Sequence, residues 1–303
     1  MENRLGVDLG GTKIEVAVLD PDRRILWRER EPTPQGDYEG TVATMAALIE
    51  RAERECGPVL SVGVGTPGTI SPRSGLIKNA NSVVLNGRPL KRDLEDRLGR
   101  QVAMANDANC LALSESADDG AAAGAGSVFG VILGTGVGGG LVIDGRVLLG
   151  RNAIAGEWGH NPLPWPRRDE TPGPLCWCGL AGCIEQWLSG PAFEREYAEL
   201  AGERLDGATI VARAAMGEER ADRAIDHYAH RLARALAHVI NLFDPEVIVL
   251  GGGMSNASVL YERVPLLWDR FVFSDPITTQ LLPPQFGDSS GVRGAAFLSD
   301  LLK

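Results

Sequence analysis

The sequence lacks a basic excess, an uninterrupted apolar run and an even set of cysteines. Lys and Arg number 30 against 40 Asp and Glu, so the 303-residue chain carries a net charge of −10. Sequence-independent binding to nucleic acid or to anionic membranes relies on a basic surface, and this balance argues against both. The longest uncharged run, 120–143, holds nine glycines in 24 residues. That is a loop-and-strand composition, not a membrane-spanning helix. No export signal is legible, because residues 1–10 already read as a strand with Asp8 inside it. Five cysteines are present, and Cys176, Cys178 and Cys183 lie within eight residues. Clustering of this kind without an export signal suggests a metal site in place of a disulfide framework. The expected compartment is the reducing cytoplasm.

What is present is an ordinary globular composition, 44% hydrophobic and 23% charged, with 38 glycines. The length favours two domains. Leu5–Asp8, a Gly10-Gly11-Thr12-Lys13 turn and Ile14–Leu19 read as a hairpin, with 24–28 as a further strand. Val42, Met45, Ile49 and Ala52 follow the stripe of an amphipathic helix. Residues 59–64 and 102–105 read as strands, 90–98 and the stretch through Ser116 as helices. A second half repeats the scheme: a strand over 128–133, a glycine turn over 134–140, and a strand over 141–143. A helical stripe runs through Ile225, Tyr228, Leu232, Leu236, Val239 and Phe243, and a strand over 247–250 runs into Gly251-Gly252-Gly253. The boundary between halves is expected near 117–126. Two similar halves suggest a cleft between them, where ligands commonly bind.

Gly134–Gly139 fits G-x-G-x-x-G, but a dinucleotide fingerprint must open a helix, and here a strand follows. Gly10–Lys13 is not a Walker A loop. Both turns expose backbone N–H groups without side-chain bulk, with Thr12, Lys13 and Thr135 as added donors. They read either as plain hairpin turns or as cradles for phosphate oxygens. Asn106-Asp107 follows a strand and precedes a helix, as a helix cap would. A carboxylate at a strand end also suits a general base for phosphoryl transfer to an alcohol.

His160, Cys176, Cys178 and Cys183 supply the soft donors of a closed tetrahedral zinc shell, which would be structural and would pin the Pro-rich segment 162–174. Cys56 and Cys110 sit in apolar helical contexts and read as core. Glu157 and Glu185 bracket the cluster, either as solvated charges or as carboxylates aimed into a sugar-binding cleft.

Together these residues resemble the ROK family of bacterial sugar kinases. The likeness is carried by Asp8-Leu-Gly-Gly-Thr-Lys13, Asn106-Asp107-Ala-Asn-Cys110, Gly134-Thr-Gly136, Glu157-Trp-Gly-His160 and Cys176-x-Cys-Gly-x-x-Gly-Cys183-Ile-Glu185. Within the family, Ile70-Ser-Pro72, Lys78-Asn-Ala-Asn81, the stretch 156–165 and the stretch 287–294 are most similar to fructokinase, also called manno(fructo)kinase. The resemblance implies an α/β actin-like ATPase (ribonuclease H-like) fold with two domains around a cleft. These would be 1–118, 119–290 and a C-terminal helix, 291–303, packing back on the first. It implies Asp107 as catalytic base and sugar contacts at Gly68, Asn81, Asn106, Asp107, Glu157, His160 and Glu185. ATP would be lined by Gly10, Gly11, Thr12, Lys13, Thr135, Gly136 and Gly252, with Asp8 near Mg²⁺. The resemblance also implies a homodimer. The expected reaction is ATP with D-fructose giving ADP and D-fructose 6-phosphate. N-acetylglucosamine kinase and glucokinase are the alternatives within the family. A non-catalytic sugar-sensing regulator is the alternative of another class, disfavoured because the chain starts at the phosphate strand without a DNA-binding segment.

Overall fold

The computed structural model describes residues 3–299. The strand expected over 1–10 and the helix expected over 291–303 are seen within those limits; residues 1–2 and 300–303 lie outside the described residues.

The first half opens with β1 (Arg4–Leu9), β2 (Lys13–Leu19) and β3 (Ile25–Pro32), then α1 (Tyr38–Cys56) and β4 (Ser61–Thr66). A small hairpin follows, β5 (Thr69–Ile70) with β6 (Ile77–Lys78). The half is completed by α2 (Leu90–Leu98), β7 (Ala103–Asn106) and α3 (Asp107–Glu115). Short turns join β1, β2 and β3 antiparallel, whereas β4 and β7 run parallel to β1. Parallel neighbours need a crossover, and α1 supplies it between β3 and β4. Val42, Met45, Ile49 and Ala52 on α1 are all buried in the core of this half, as their spacing requires. Asp37 caps the helix by accepting from Gly40 N.

The second half contains β8 (Ser127–Leu133), β9 (Val137–Ile143) and β10 (Arg146–Val147), then α4 (Glu185–Leu188), α5 (Gly190–Ala201), α6 (Gly207–Ala215) and α7 (Glu219–Phe243). It continues through β11 (Val247–Gly251), α8 (Val259–Trp268), β12 (Gln280–Leu282) and α9 (Ser290–Ala296). Its sheet has the order β10-β9-β8-β11-β12, matching β3-β2-β1-β4-β7 strand for strand and direction for direction. The α7 stripe from Ile225 to Val239 lies in the main core of this half, with Phe243 half-buried at its end.

The halves exchange helices. From the first half, α3 packs on β8 and β9 of the second, while α9, at the chain's end, packs on β1 and β4 of the first. The two helices cross in contact at Gly294, where a Cβ would lie 1.8 Å from the carbonyl oxygen of Cys110. Buried Glu115, ending α3, accepts from the backbone N–H of Gln285 at 2.9 Å and from Ser290 Oγ at 2.6 Å.

One expectation is corrected here. The glycine turn expected over 134–140 is only three residues long, Gly134–Gly136, and β9 begins at Val137. Gly140 is in the strand, paired with Gly130. A Cβ on Gly140 would lie 2.3 Å from the Ala108 carbonyl oxygen. Close passage of α3, not a turn, demands glycine there.

Candidate active site

At the β7–α3 junction the cap reading is seen, and Asp107 is placed where the base reading requires a carboxylate, on the cavity wall. Asn106 is the helix cap, its Oδ1 accepting from Ala108 N at 2.9 Å. Its Nδ2 donates to the Gly68 carbonyl at 3.1 Å. Asp107 opens α3 and lines the cleft. Gly68 has a φ of 71° and lies so close to the Lys78 carbonyl that a Cβ would come within 2.4 Å. The following loop, which carries Asn81, is clasped by Asn86. Ala80 N donates to Asn86 Oδ1 at 2.9 Å, and Asn86 Nδ2 returns to the Ala80 carbonyl at 2.8 Å.

The opposite wall comes from the second half. Glu157 precedes a single 3₁₀ turn, Trp158–His160. Trp158 anchors that turn by donating to the Gly138 carbonyl at 2.9 Å and packing edge-on against Phe129. Glu185 starts α4. Its Oε2 accepts from Val137 N at 3.0 Å and its Oε1 from Trp177 Nε1 at 2.7 Å. The resulting cavity, about 210 Å³, is lined by all seven expected sugar residues, Gly68, Asn81, Asn106, Asp107, Glu157, His160 and Glu185. Gly10, Gly11, Thr135 and Gly136 from the two glycine turns also line it. Trp177, which sequence reasoning passed over, lines it too and meets the His160 ring edge-on at 4.8 Å. Its position inside the cysteine cluster was the available signal.

Acidic groups concentrate in and next to the cavity. Burial raises the Asp107 carboxyl to about 6, against the Ala108 N–H that stabilises its ionised form. Asp8 is raised to about 7 by burial and by the charges of Asp107 and Glu15, with Lys13 and Arg30 opposing. Burial also raises Glu157, with His160 and Lys78 opposing. A site of this kind suits hydroxyl donors and a divalent cation.

Beyond the turns, a cavity of about 520 Å³ is lined by Gly10, Gly11, Thr12 and Thr135. Another, of about 620 Å³, is lined by Thr135, Gly190, Pro191, Asp206, Gly207, Gly253 and Met254. The walls from α5 and α6 were missed in the sequence, although Ser189-Gly190-Pro191 has the cap and N-terminal proline of a helix start. Gly190 N donates to the Gly134 carbonyl at 2.8 Å, tying α5 to the glycine turn. Asp8, Lys13 and Gly252 line none of these three cavities. Asp8 lies beneath the first turn against Gly291, and Lys13 Nζ is 4.0 Å from Asp288. Gly252, with φ 78°, packs on the Leu133–Gly134 backbone, where a Cβ would clash at 2.6 Å.

The ROK family pattern matches residues 4–300. The chain belongs to the ROK family. It is 42% identical over 297 residues to an N-acetyl-D-glucosamine kinase of Pectobacterium atrosepticum, covering 97% of each chain. Among solved structures, it is similar to the ROK hexokinase from Thermus thermophilus (TM-score 0.85, 36% identity, 99% and 98% of the two chains). It is also similar to an ROK glucokinase from Streptomyces griseus in complex with glucose and AMPPNP (TM-score 0.84, 31% identity, 98% of each). Family, relative and structures agree on a sugar kinase with the two-domain actin-like ATPase fold. They do not favour the fructose specificity expected from the sequence; relatives matching along 97% of the chain carry the N-acetylglucosamine name. Motifs shared across the family report the chemistry common to its sugar kinases, not which sugar a member selects.

In this ROK chain His160, Cys176, Cys178 and Cys183 place their donor atoms within 4.8 Å of one another. Cys176 Sγ is 3.6 Å from His160 Nδ1, and Cys178 Sγ is 3.6 Å from Cys183 Sγ. Tetrahedral metal–sulfur bonds of about 2.3 Å make edges of roughly 3.7 Å, so the donors fit a zinc-sized cation. The Pro-rich segment is tied to α7: buried Glu170 accepts from Arg231 Nε at 2.9 Å and from Arg234 Nη2 at 2.7 Å. Cys110 is buried and Cys56 half-buried. Among the described residues no helix is long and apolar enough to cross a membrane.

Proposed function

We propose that the chain is an ATP-dependent N-acetyl-D-glucosamine kinase, converting ATP and N-acetyl-D-glucosamine to ADP and the sugar 6-phosphate. The observation that carries it is the single cavity in which Asp107 meets Glu157, His160 and Glu185 across the cleft, beside both glycine turns. The 42% identity to a relative of that name along nearly the whole chain supports the choice of sugar.

In this reading Asp107 orients the 6-hydroxyl and accepts its proton as the oxygen attacks the γ-phosphorus and the bridging bond to ADP breaks. Asn81, Asn106, Glu157, His160 and Glu185, with the backbone at Gly68, hold the remaining hydroxyls. Gly10, Gly11, Thr12, Thr135 and Gly136 supply backbone and hydroxyl donors to the phosphates. Lys13 adds charge, and Gly252 lets the backbone approach. Asp8 offers a hard oxygen donor to Mg²⁺, which when bound neutralises phosphate charge. His160, Cys176, Cys178 and Cys183 would hold a structural Zn²⁺, with the other side of the His160 ring left to the sugar. Closure of 1–118 against 119–290, with α9 docked on the first part, excludes water. A cytoplasmic homodimer completes the proposal.

The test is a coupled ADP-release assay with N-acetylglucosamine, N-acetylmannosamine, glucose, mannose and fructose. The highest kcat/KM is expected with N-acetylglucosamine. An equal or higher value with fructose overturns the specificity, and no ADP release with any sugar overturns the kinase reading.

A further inference from the structure

We propose that Lys78 is a latch across the mouth of the sugar cavity and a positioning residue for its two walls. Lys78 ends β6, and its Nζ donates to the backbone carbonyl of Asn152 at 2.9 Å. The partners belong to opposite halves. Lys78 lies in the hairpin of the first, Asn152 in the irregular segment that follows β10 in the second. Each end of the bond is a few residues from the cavity: Asn81 follows Lys78 closely, and Glu157 follows Asn152.

The hairpin end is a firm platform. The Lys78 carbonyl packs on Gly68, whose own carbonyl holds Asn106, and the loop beyond is clasped by Asn86. The other end leads into Glu157 through successive backbone turns, Ala153 N to the Gly150 carbonyl at 3.2 Å and Glu157 N to the Ile154 carbonyl at 3.2 Å. A tie at Asn152 is therefore passed to Glu157 along a short, turn-bonded segment. The ammonium charge is also felt at Glu157, where it opposes the effect of burial. Because the acceptor is a backbone carbonyl, the side chain of Lys78 alone decides whether the latch forms. Sugar phosphorylation needs both walls held while water is kept out, and this consequence rests on the sugar-kinase reading.

The experiment compares Lys78→Met, which keeps the apolar stem, with Lys78→Arg, which keeps a donor. In Lys78→Met the KM for sugar is expected to rise about tenfold, the worth of one charge-assisted hydrogen bond. ATP hydrolysis without sugar phosphorylation is expected to increase, while the KM for ATP stays put. Lys78→Arg should restore the wild-type values. A merely structural role would instead move thermal stability and both KM values together, and that result overturns the proposal. Hydrogen exchange of the amides over 149–157, measured in ligand-free protein, is expected to quicken in Lys78→Met only. Unchanged exchange overturns the latch, and quickened exchange with unchanged sugar KM overturns the positioning role. If the wild type phosphorylates no sugar, the kinase reading falls, while exchange still decides the latch.

Discussion

Asn106 and Asp107 share one backbone donor: the Ala108 N–H lies 2.9 Å from Asn106 Oδ1 and 2.8 Å from Asp107 Oδ1. The helix start is thus satisfied twice over, and the neighbouring carboxylate is held at the cavity wall by the same N–H. Asp107→Asn keeps this geometry and removes the base. It is expected to lower kcat by about 10²–10⁴-fold, with the sugar dissociation constant from calorimetry staying within a few-fold of wild type. A nearly active variant would sink the assignment.

If Asp107 is the base, as proposed, the same carboxylate is expected to set the pH profile. Asp107 must be ionised to accept a proton, and burial raises it to about 6. At saturating Mg²⁺ and ATP, with Asp8 held ionised by the metal, the kcat/KM for sugar is expected to fall as pH drops through about 6 with the slope of one proton, and to be flat just above neutrality. A profile flat down to pH 4.5 contradicts the buried base.

Asp8→Asn should separate stability from activity. The Asp8 carboxyl is raised to about 7 in the folded protein from 3.8. The folded state therefore holds a proton that the unfolded state releases, and its stability is lost as pH rises toward 7. The variant is expected to melt on the order of a few degrees higher at pH 8, to match wild type near pH 4, and to lose Mg²⁺-dependent turnover. Calorimetric scans of the nucleotide-free protein at the two pH values decide it; equal melting at pH 8 removes the argument that burying the ionised Asp8 beside Asp107 and Glu15 costs stability.

Elemental analysis of protein never exposed to chelator is expected to give about one zinc per chain, as four closed ligands require. Cys178→Ser should lose metal and melt earlier, because structural zinc contributes directly to folding. Less than half an equivalent in the wild type counts against the site.

Much of the site was legible because its parts are local. A strand, a glycine turn and another strand announce themselves by composition, and the α1 and α7 stripes by period. The cysteine spacing is too short to hide. Other features were illegible because they depend on contacts distant in the chain. Gly138 and Gly140 of β9 look like turn residues until α3 is seen against them, and Gly139 until the Gly156 carbonyl and the Phe129 ring are. Gly294 has no local reason to be glycine, and its reason is the Cys110 carbonyl pressed against it. The role of Trp177 also depends on tertiary placement, since only the fold brings its indole N–H to Glu185.

The sequence by itself determined the family, the duplicated α/β plan and the set of candidate residues for the chemistry, because motif residues and hydrophobic periods are written in short segments. Only the tertiary structure decided which of those residues share a cavity, how strongly burial perturbs Asp8 and Asp107, and that Lys78 reaches Asn152. Those outcomes depend on distance and desolvation between two halves, and neither quantity exists until the halves have packed.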